Sequence, residues 1–312
     1  MRAIERLIND SRASTENLSF STDAGIQDDE CLGYANDAQD RIFSLIIGTF
    51  PAMFQEEKTI SVNAQTESVD IPNDAYFGIR IELVEFSRTG NARDYYQLDK
   101  GSIQERISSV VNEPSFYIRR SKNMLLQPLS TNGGTLRLTY VKAIPRLDKR
   151  RSKVSSVTLG TDSISSLILD TAMLDSVDST YMADLEYITI ADKDGVVKMK
   201  NIPITDIALS TGIVTVYPGF TFESGETIIA GDYVFGGKNS CNISQLPDAC
   251  ERYLKAFMDW KLLKRDSSSD SIEQNAELKE IEMEIIQAVA VADEGVSTIP
   301  IIDSQFMSLG GN

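Results

Sequence analysis

The chain has no histidine among its 312 residues. Imidazole is the side chain most often used for acid–base work near neutral pH, and it is the commonest metal ligand. Its absence counts against hydrolases built on a nucleophile–His pair and against His-bearing zinc sites. The three cysteines, Cys31, Cys241 and Cys250, form no CxxC. An odd count at that spacing argues against a disulfide framework or a structural zinc, and reads as reduced, buried thiols in a protein folded in the cytoplasm. Asp192-Lys193-Asp194-Gly195 echoes the start of a calcium loop, but the later ligands and terminal Glu are missing, so a hairpin turn is the better reading. Asn132-Gly133-Gly134 and Gly236-Gly237-Lys238 lack phosphate-loop spacing and open no helix; they read as turns. No motif anchors a carboxylate pair, and Glu277, Glu280, Glu282 and Glu284 read as the solvated face of a helix. No cofactor or metal is expected.

Two stretches suit binding better than catalysis. Lys142 to Lys153 holds six basic residues and one acid, Asp148. It reads as an exposed connector whose Arg146, Lys149, Arg150, Arg151 and Lys153 form a charged contact loop for phosphate or an acidic neighbour. No aromatic residue interleaves it, so base stacking is not expected. The end of the chain, Val296–Asn312, carries Ile299, Ile301, Ile302, Phe306, Met307 and Leu309 without helical period, and Pro300 and two glycines oppose a packed helix. Apolar side chains on such an end need a surface, on a partner or on the chain's own domain. The overall balance is 30 basic against 46 acidic residues, a net charge of −16, which repels nucleic acid and anionic membrane at long range. No run approaches the ~18 apolar residues of a membrane span.

The elements that must position these stretches follow from periodicity. Arg2–Ile8 reads as a short helical turn and Asn9–Ile26 as a loop or arm. Asp28 and Asp29 cap a helix carrying Leu32, Ala35, Ala38, Ile42, Leu45 and Ile46 at three and four spacing, ended by Pro51. From Lys58 the period is two, with strands around Ile60–Ala64, Ile79–Leu83 and Tyr95–Leu98. A short helix is expected within Ile103–Val111. Ser115–Arg119, Met124–Gln127 and Leu136–Val141 read as three strands joined by tight turns, with Leu136, Leu138 and Tyr140 on one face. Six strand candidates separated by turn signals between Ser155 and Lys238 suggest a small β-sandwich or barrel. Pro247 opens a helix through Tyr253, Leu254 and Phe257, and a second helix with Leu278, Ile281, Ile285 and Val289 completes an antiparallel hairpin. The fold class is α+β. The expected organisation is a core of residues 1–150 and 241–295, an inserted β-domain at 151–240 and an extended tail at 296–312.

Several phrases resemble the head–tail adaptor (head-completion, or connector) proteins of short-tailed bacteriophages. They are Asn36-Asp37-Ala38, Ile71-Pro72-Asn73-Asp74, Tyr95-Tyr96-Gln97-Leu98, Pro114-Ser115-Phe116-Tyr117, Leu125-Leu126-Gln127-Pro128, Gly134-Thr135-Leu136-Arg137-Leu138-Thr139-Tyr140 and Leu246-Pro247-Asp248-Ala249. The resemblance covers about residues 28–145 and 244–294; the β-region at 155–240 departs from it. It implies a homo-oligomeric ring, a dodecamer, in the virion at the head–tail junction. The ring would extend the portal channel, make transient non-specific contact with double-stranded DNA, and offer the inserted β-domain to tail or nozzle proteins. The helices would build the ring wall. A tail-hub or decoration protein whose β-domain binds a receptor or glycan is the alternative, and a carboxylate-based hydrolase is the third.

Overall fold

The computed structural model describes residues 1–15, 28–76, 80–106, 110–161, 163–174, 185–221, 227–265 and 270–294. The chain divides into two compact units, residues 1–45 with 145–312, and residues 46–144. Helices and sheets both contribute, so the fold is α+β.

The first unit holds α1 (Ile4–Thr15), most of α2 (Asp28–Thr49), the single turn α3 (Thr171–Leu174), α4 (Glu251–Arg265) and α5 (Asp270–Glu294). α1 runs a full two turns beyond the expected Ile8. Ser11 and Thr15 continue its buried face; the Thr15 hydroxyl donates back to the Ser11 carbonyl at 2.9 Å, while the Ser11 hydroxyl is buried with no hydrogen-bond partner among the described residues. The remainder of the expected arm, residues 16–26, lies outside the described residues. α2 begins with Asp28, Asp29 and Glu30, acids that complement the helix dipole, and buries Cys31, Ala35, Ala38, Ile42 and Ile46. Pro51 then opens a 3-10 turn, Pro51–Phe54. A second 3-10 turn, Asp248–Cys250, with Pro247 as its cap, leads into α4. α5 packs on α4 through Leu278, Ile281, Ile285 and Val289.

The second unit is two four-stranded sheets around one core. Its strands are β1 (Gln55–Val62), β2 (Ser68–Asp70), β3 (Ile81–Ser87), β4 (Tyr96–Gln97), β5 (Asp99–Gly101), β6 (Val110–Val111), β7 (Phe116–Arg120), β8 (Asn123–Gln127), β9 (Leu129–Ser130) and β10 (Gly134–Val141). The sheet orders are β1-β10-β3-β4 and β2-β8-β7-β5. Leu136, Leu138 and Tyr140 are buried on one face of β10, as the alternation requires, and Arg137 pairs with Glu85 on the other at 2.7 Å. β7 and β8 form the expected hairpin. The next turn does not close a second one: β10 pairs with β1 and β3, and Asn132-Gly133-Gly134 carries the chain into the other sheet. Alternation reports faces, not partners, so this crossover is invisible to it. The helix expected within 103–111 is a 3-10 turn, Ile103–Glu105, followed by β6 paired in parallel with β9.

Back in the first unit, β11 (Arg146–Leu147) pairs in parallel with β18 (Ser240–Cys241). Between them six strands close a barrel in the order β12-β13-β16-β15-β14-β17. They are β12 (Ser152–Leu159), β13 (Ile164–Leu169), β14 (Tyr187–Ala191), β15 (Val197–Ala208), β16 (Ile213–Val216) and β17 (Tyr233–Gly236). The barrel core includes Leu167, Ile188, Ile190, Met199, Ile202 and Val234. β15 runs through Pro203: residues up to Pro203 pair with β14, and those from Ile204 onward pair with β16. Asn201 at φ 59 and Pro203, which has no N–H to donate, sit near this change of partner. In the β14–β15 turn the Asp192 carboxylate accepts the Asp194 and Val196 N–H groups at 2.9 and 3.0 Å, and Gly195 takes φ 80, where a Cβ would lie 2.8 Å from Ile243.

Candidate functional site

The basic segment is where motif residues, buried charge and chain connection meet. Asn36 of the Asn-Asp-Ala phrase clasps the Leu147 backbone twice, donating to its carbonyl and accepting its N–H, each at 2.9 Å. Gln39, one helical turn on, donates to the Pro145 carbonyl at 2.8 Å and accepts the Ser244 hydroxyl at 2.6 Å. Both amides are buried on α2, so the segment leaves Pro145 in a fixed register.

Beyond Leu147 the charges turn inward. Arg151 is 1% exposed and Asp148 4%. The guanidinium donates to the Asp148 carboxylate through NH2 at 2.6 Å and through Nε at 3.1 and 3.2 Å. That carboxylate also accepts the Gly236 N–H at 2.7 Å and the Lys149 N–H at 2.9 Å. Burial pushes the Asp148 carboxyl up, against the pull of Arg151 and of both N–H groups. Arg150 pairs with Glu5 at 2.9 Å and lies over the Tyr233 ring; Lys149 pairs with Asp29 at 3.2 Å. Lys153 also lies over Tyr233, and Arg146 is exposed and offsets the burial that raises the Asp40 carboxyl. The exposed connector is therefore corrected to a pinned segment with a buried centre. Run composition displays the cations, while two of their acids, Glu5 and Asp29, stand more than a hundred residues earlier. The i,i+3 spacing of Asp148 and Arg151 was the one local signal of the buried pair.

The other phrases also serve one another. The Tyr140 hydroxyl donates to Asp74 at 3.1 Å, and the Tyr96 hydroxyl to the Pro114 carbonyl at 2.7 Å. Chemistry is less developed. Among the described residues no group of three or more His, Cys, Asp or Glu is placed to hold a metal ion. A cleft of about 280 Å³ in the second unit is lined by Glu82, Asp99, Lys100, Tyr117 and Arg119, charges of both signs. All three cysteines are buried, and burial pushes the Cys241 and Cys250 thiols up to about 11.

α5 departs from its reading as a helix with one solvated acidic face. Glu282 is only 12% exposed, accepts the Tyr253 hydroxyl at 2.6 Å and pairs with Arg41 at 2.7 Å. Opposite the buried stripe lies a second apolar one, with Ile272 at 77% and Met283 at 62% exposure, Ala276 exposed between them, and Ile286 and Ala290 half-buried beyond. Ile299, Ile301, Ile302, Phe306, Met307 and Leu309 lie outside the described residues.

Charge is divided sharply. Residues 46–144 carry 11 basic and 11 acidic side chains, so the entire −16 belongs to the first unit, 19 basic against 35 acidic. Over residues 1–183, more than half of its length, the chain matches the SU10 adaptor protein family. It belongs to that family. The match takes in α1, α2, the whole second unit, the pinned segment and the first two barrel strands. No curated protein matches the chain. As an SU10 adaptor it is a phage adaptor protein and a virion component, the broader part of what its phrases imply. Within the adaptor, Asn36, Asp74, Tyr96 and Tyr140 are framework residues, each spent on an internal hydrogen bond. No helix among the described residues is long and apolar enough to cross a membrane.

Proposed function

We propose that copies of this adaptor assemble as a ring, a dodecamer, at the head–tail junction of a short-tailed phage. The ring extends the portal channel for the genome and gives tail or nozzle proteins a platform. The observation that carries this reading is the family match over residues 1–183. Binding is the whole of the work, and no bond is made or broken.

The confinement of −16 to one unit supports a division of labour. The acidic unit lines the conduit. Each phosphate held by a basic groove releases a counterion and adds affinity, which a passage must avoid; acidic walls leave the DNA only transient, non-specific contact. The barrel, hung on the pinned segment, faces the tail proteins. Arg146 and Lys153 meet an acidic neighbour, while Lys149 and Arg150, paired with Asp29 and Glu5, and the buried Arg151 hold the backbone beneath them. Ile299, Ile301, Ile302, Phe306, Met307 and Leu309 reach the portal or an adjoining subunit, gaining roughly 25 cal/mol per Å² of apolar area covered.

Immobilised portal rings test the partner assignment. They should retain the full chain, and replacing Ile299, Ile302, Phe306 and Leu309 with Ser should lower retention at least tenfold. Equal retention of the variant removes the tail from the interface. Failure to retain either chain removes the portal as partner.

A further inference from the structure

We infer that in the free subunit the outer stripe of α5 is the docking surface for the chain's own residues 299–309. This inference goes beyond the ring reading and does not rest on it, because it concerns the subunit before any partner is present.

The stripe itself is the first observation. Ile272 and Met283 are eleven residues apart, three helical turns, and so stand one above the other on α5, with Ala276 between them. Lys279 and Gln287 interrupt the stripe without dividing it. Ile272 is more exposed than any other large apolar side chain among the described residues. Two such side chains in register on a helix that already buries a full face are not explained by packing within the unit.

Length and tether identify the occupant. The segment begins where α5 ends, at Glu294. Met283 lies about 17 Å back along the helix from Glu294 and Ile272 about 33 Å, at ~1.5 Å per residue. A chain reversing at Glu294 reaches about 23 Å by Ile301 and about 43 Å by Met307, at ~3.3 Å per residue. Both targets are in range with several ångströms left for the reversal. The spacing agrees as well: Ile301 and Met307, six residues apart and so on one face of an extended chain, are about 20 Å apart, near the rise of ~17 Å between Met283 and Ile272.

Charge opposes the obvious competitor. Glu273, Glu280 and Glu284 flank the stripe and are exposed. A second copy presenting the same face would bring these acids against their equivalents, in a chain already at −16. Residues 296–312 carry one charged side chain, Asp303, so they cover apolar area without that repulsion. Tethering to the same helix also raises their effective concentration to about millimolar, an advantage that no separate chain has.

Paired cysteines in the full-length free subunit test this. The native cysteines are buried, so introduced thiols are the accessible ones. One variant joins Met283→Cys with Ile301→Cys, and another joins Ile272→Cys with Met307→Cys. A control joins Val196→Cys, exposed on the barrel hairpin, with Ile301→Cys. Under mild oxidation both test pairs should form a disulfide within one subunit at least tenfold faster than the control. Cross-links chiefly between subunits would assign the stripe to a second copy and overturn the proposal. Rates equal to the control would overturn it too. Neither result touches portal retention, so the two readings fail separately.

Discussion

Asp148 and Arg151 show how a cationic run can be structural. Both are buried, and the carboxylate accepts two backbone N–H groups as well as the guanidinium. Breaking a buried ion pair from one side leaves the other charge stranded, at a cost of about 3–5 kcal/mol. Arg151→Met should therefore lower the unfolding free energy by about that much, read from the urea midpoint at unchanged slope. Adding Asp148→Leu should restore only part of the loss, because the Gly236 and Lys149 N–H groups then lose their acceptor. A loss under about 1 kcal/mol in the single variant would mean that solvent reaches the pair. Sequence showed the basic residues of this site but not its geometry. Partners such as Glu5 and Asp29 are contributed by α1 and α2, and only the fold brings them to the segment.

At the scale of elements, glycines separate steric need from tolerance. Gly212 takes φ 71 in the β15–β16 turn, and a Cβ there would lie 2.2 Å from the Leu169 carbonyl oxygen. The Leu169 N–H donates to the Gly212 carbonyl at 2.8 Å, so the clash falls where β13 meets that turn. Gly33, on the exposed side of α2, has nothing within 4 Å of the same position. Gly212→Ala should destabilise by about 1–3 kcal/mol, whereas Gly33→Ala should stabilise by about 0.5–1 kcal/mol through helix propensity. Thermal unfolding of both variants checks the pair; equal effects would contradict the assigned backbone. Much at this scale was legible. Three and four spacing identified α2, α4 and the buried face of α5, alternation identified β10, and turn signals at short intervals marked off the six barrel strands. What it missed depends on partners. The crossover after β9 and the passage of β15 through Pro203 are set by what lies alongside, and a single strand does not carry that information; the outer stripe of α5, by contrast, stands in the sequence at helical spacing and was passed over for the acids beside it.

For the whole molecule, the family phrases and the charge tell different parts of the story. The phrases hold the framework: Asn36 pins the segment after Pro145, while Asp74 with Tyr140 and Tyr96 with Pro114 brace the second unit. The charge distinguishes the units: residues 46–144 are neutral and the remainder carries −16. The central claim is that this adaptor acts by fitting against copies of itself and virion neighbours. Two-dimensional class averages of the purified protein, with and without portal rings, address it most directly. Closed rings of the adaptor stacked on one face of the portal are expected. Single subunits that stay dispersed in the presence of portal would contradict it.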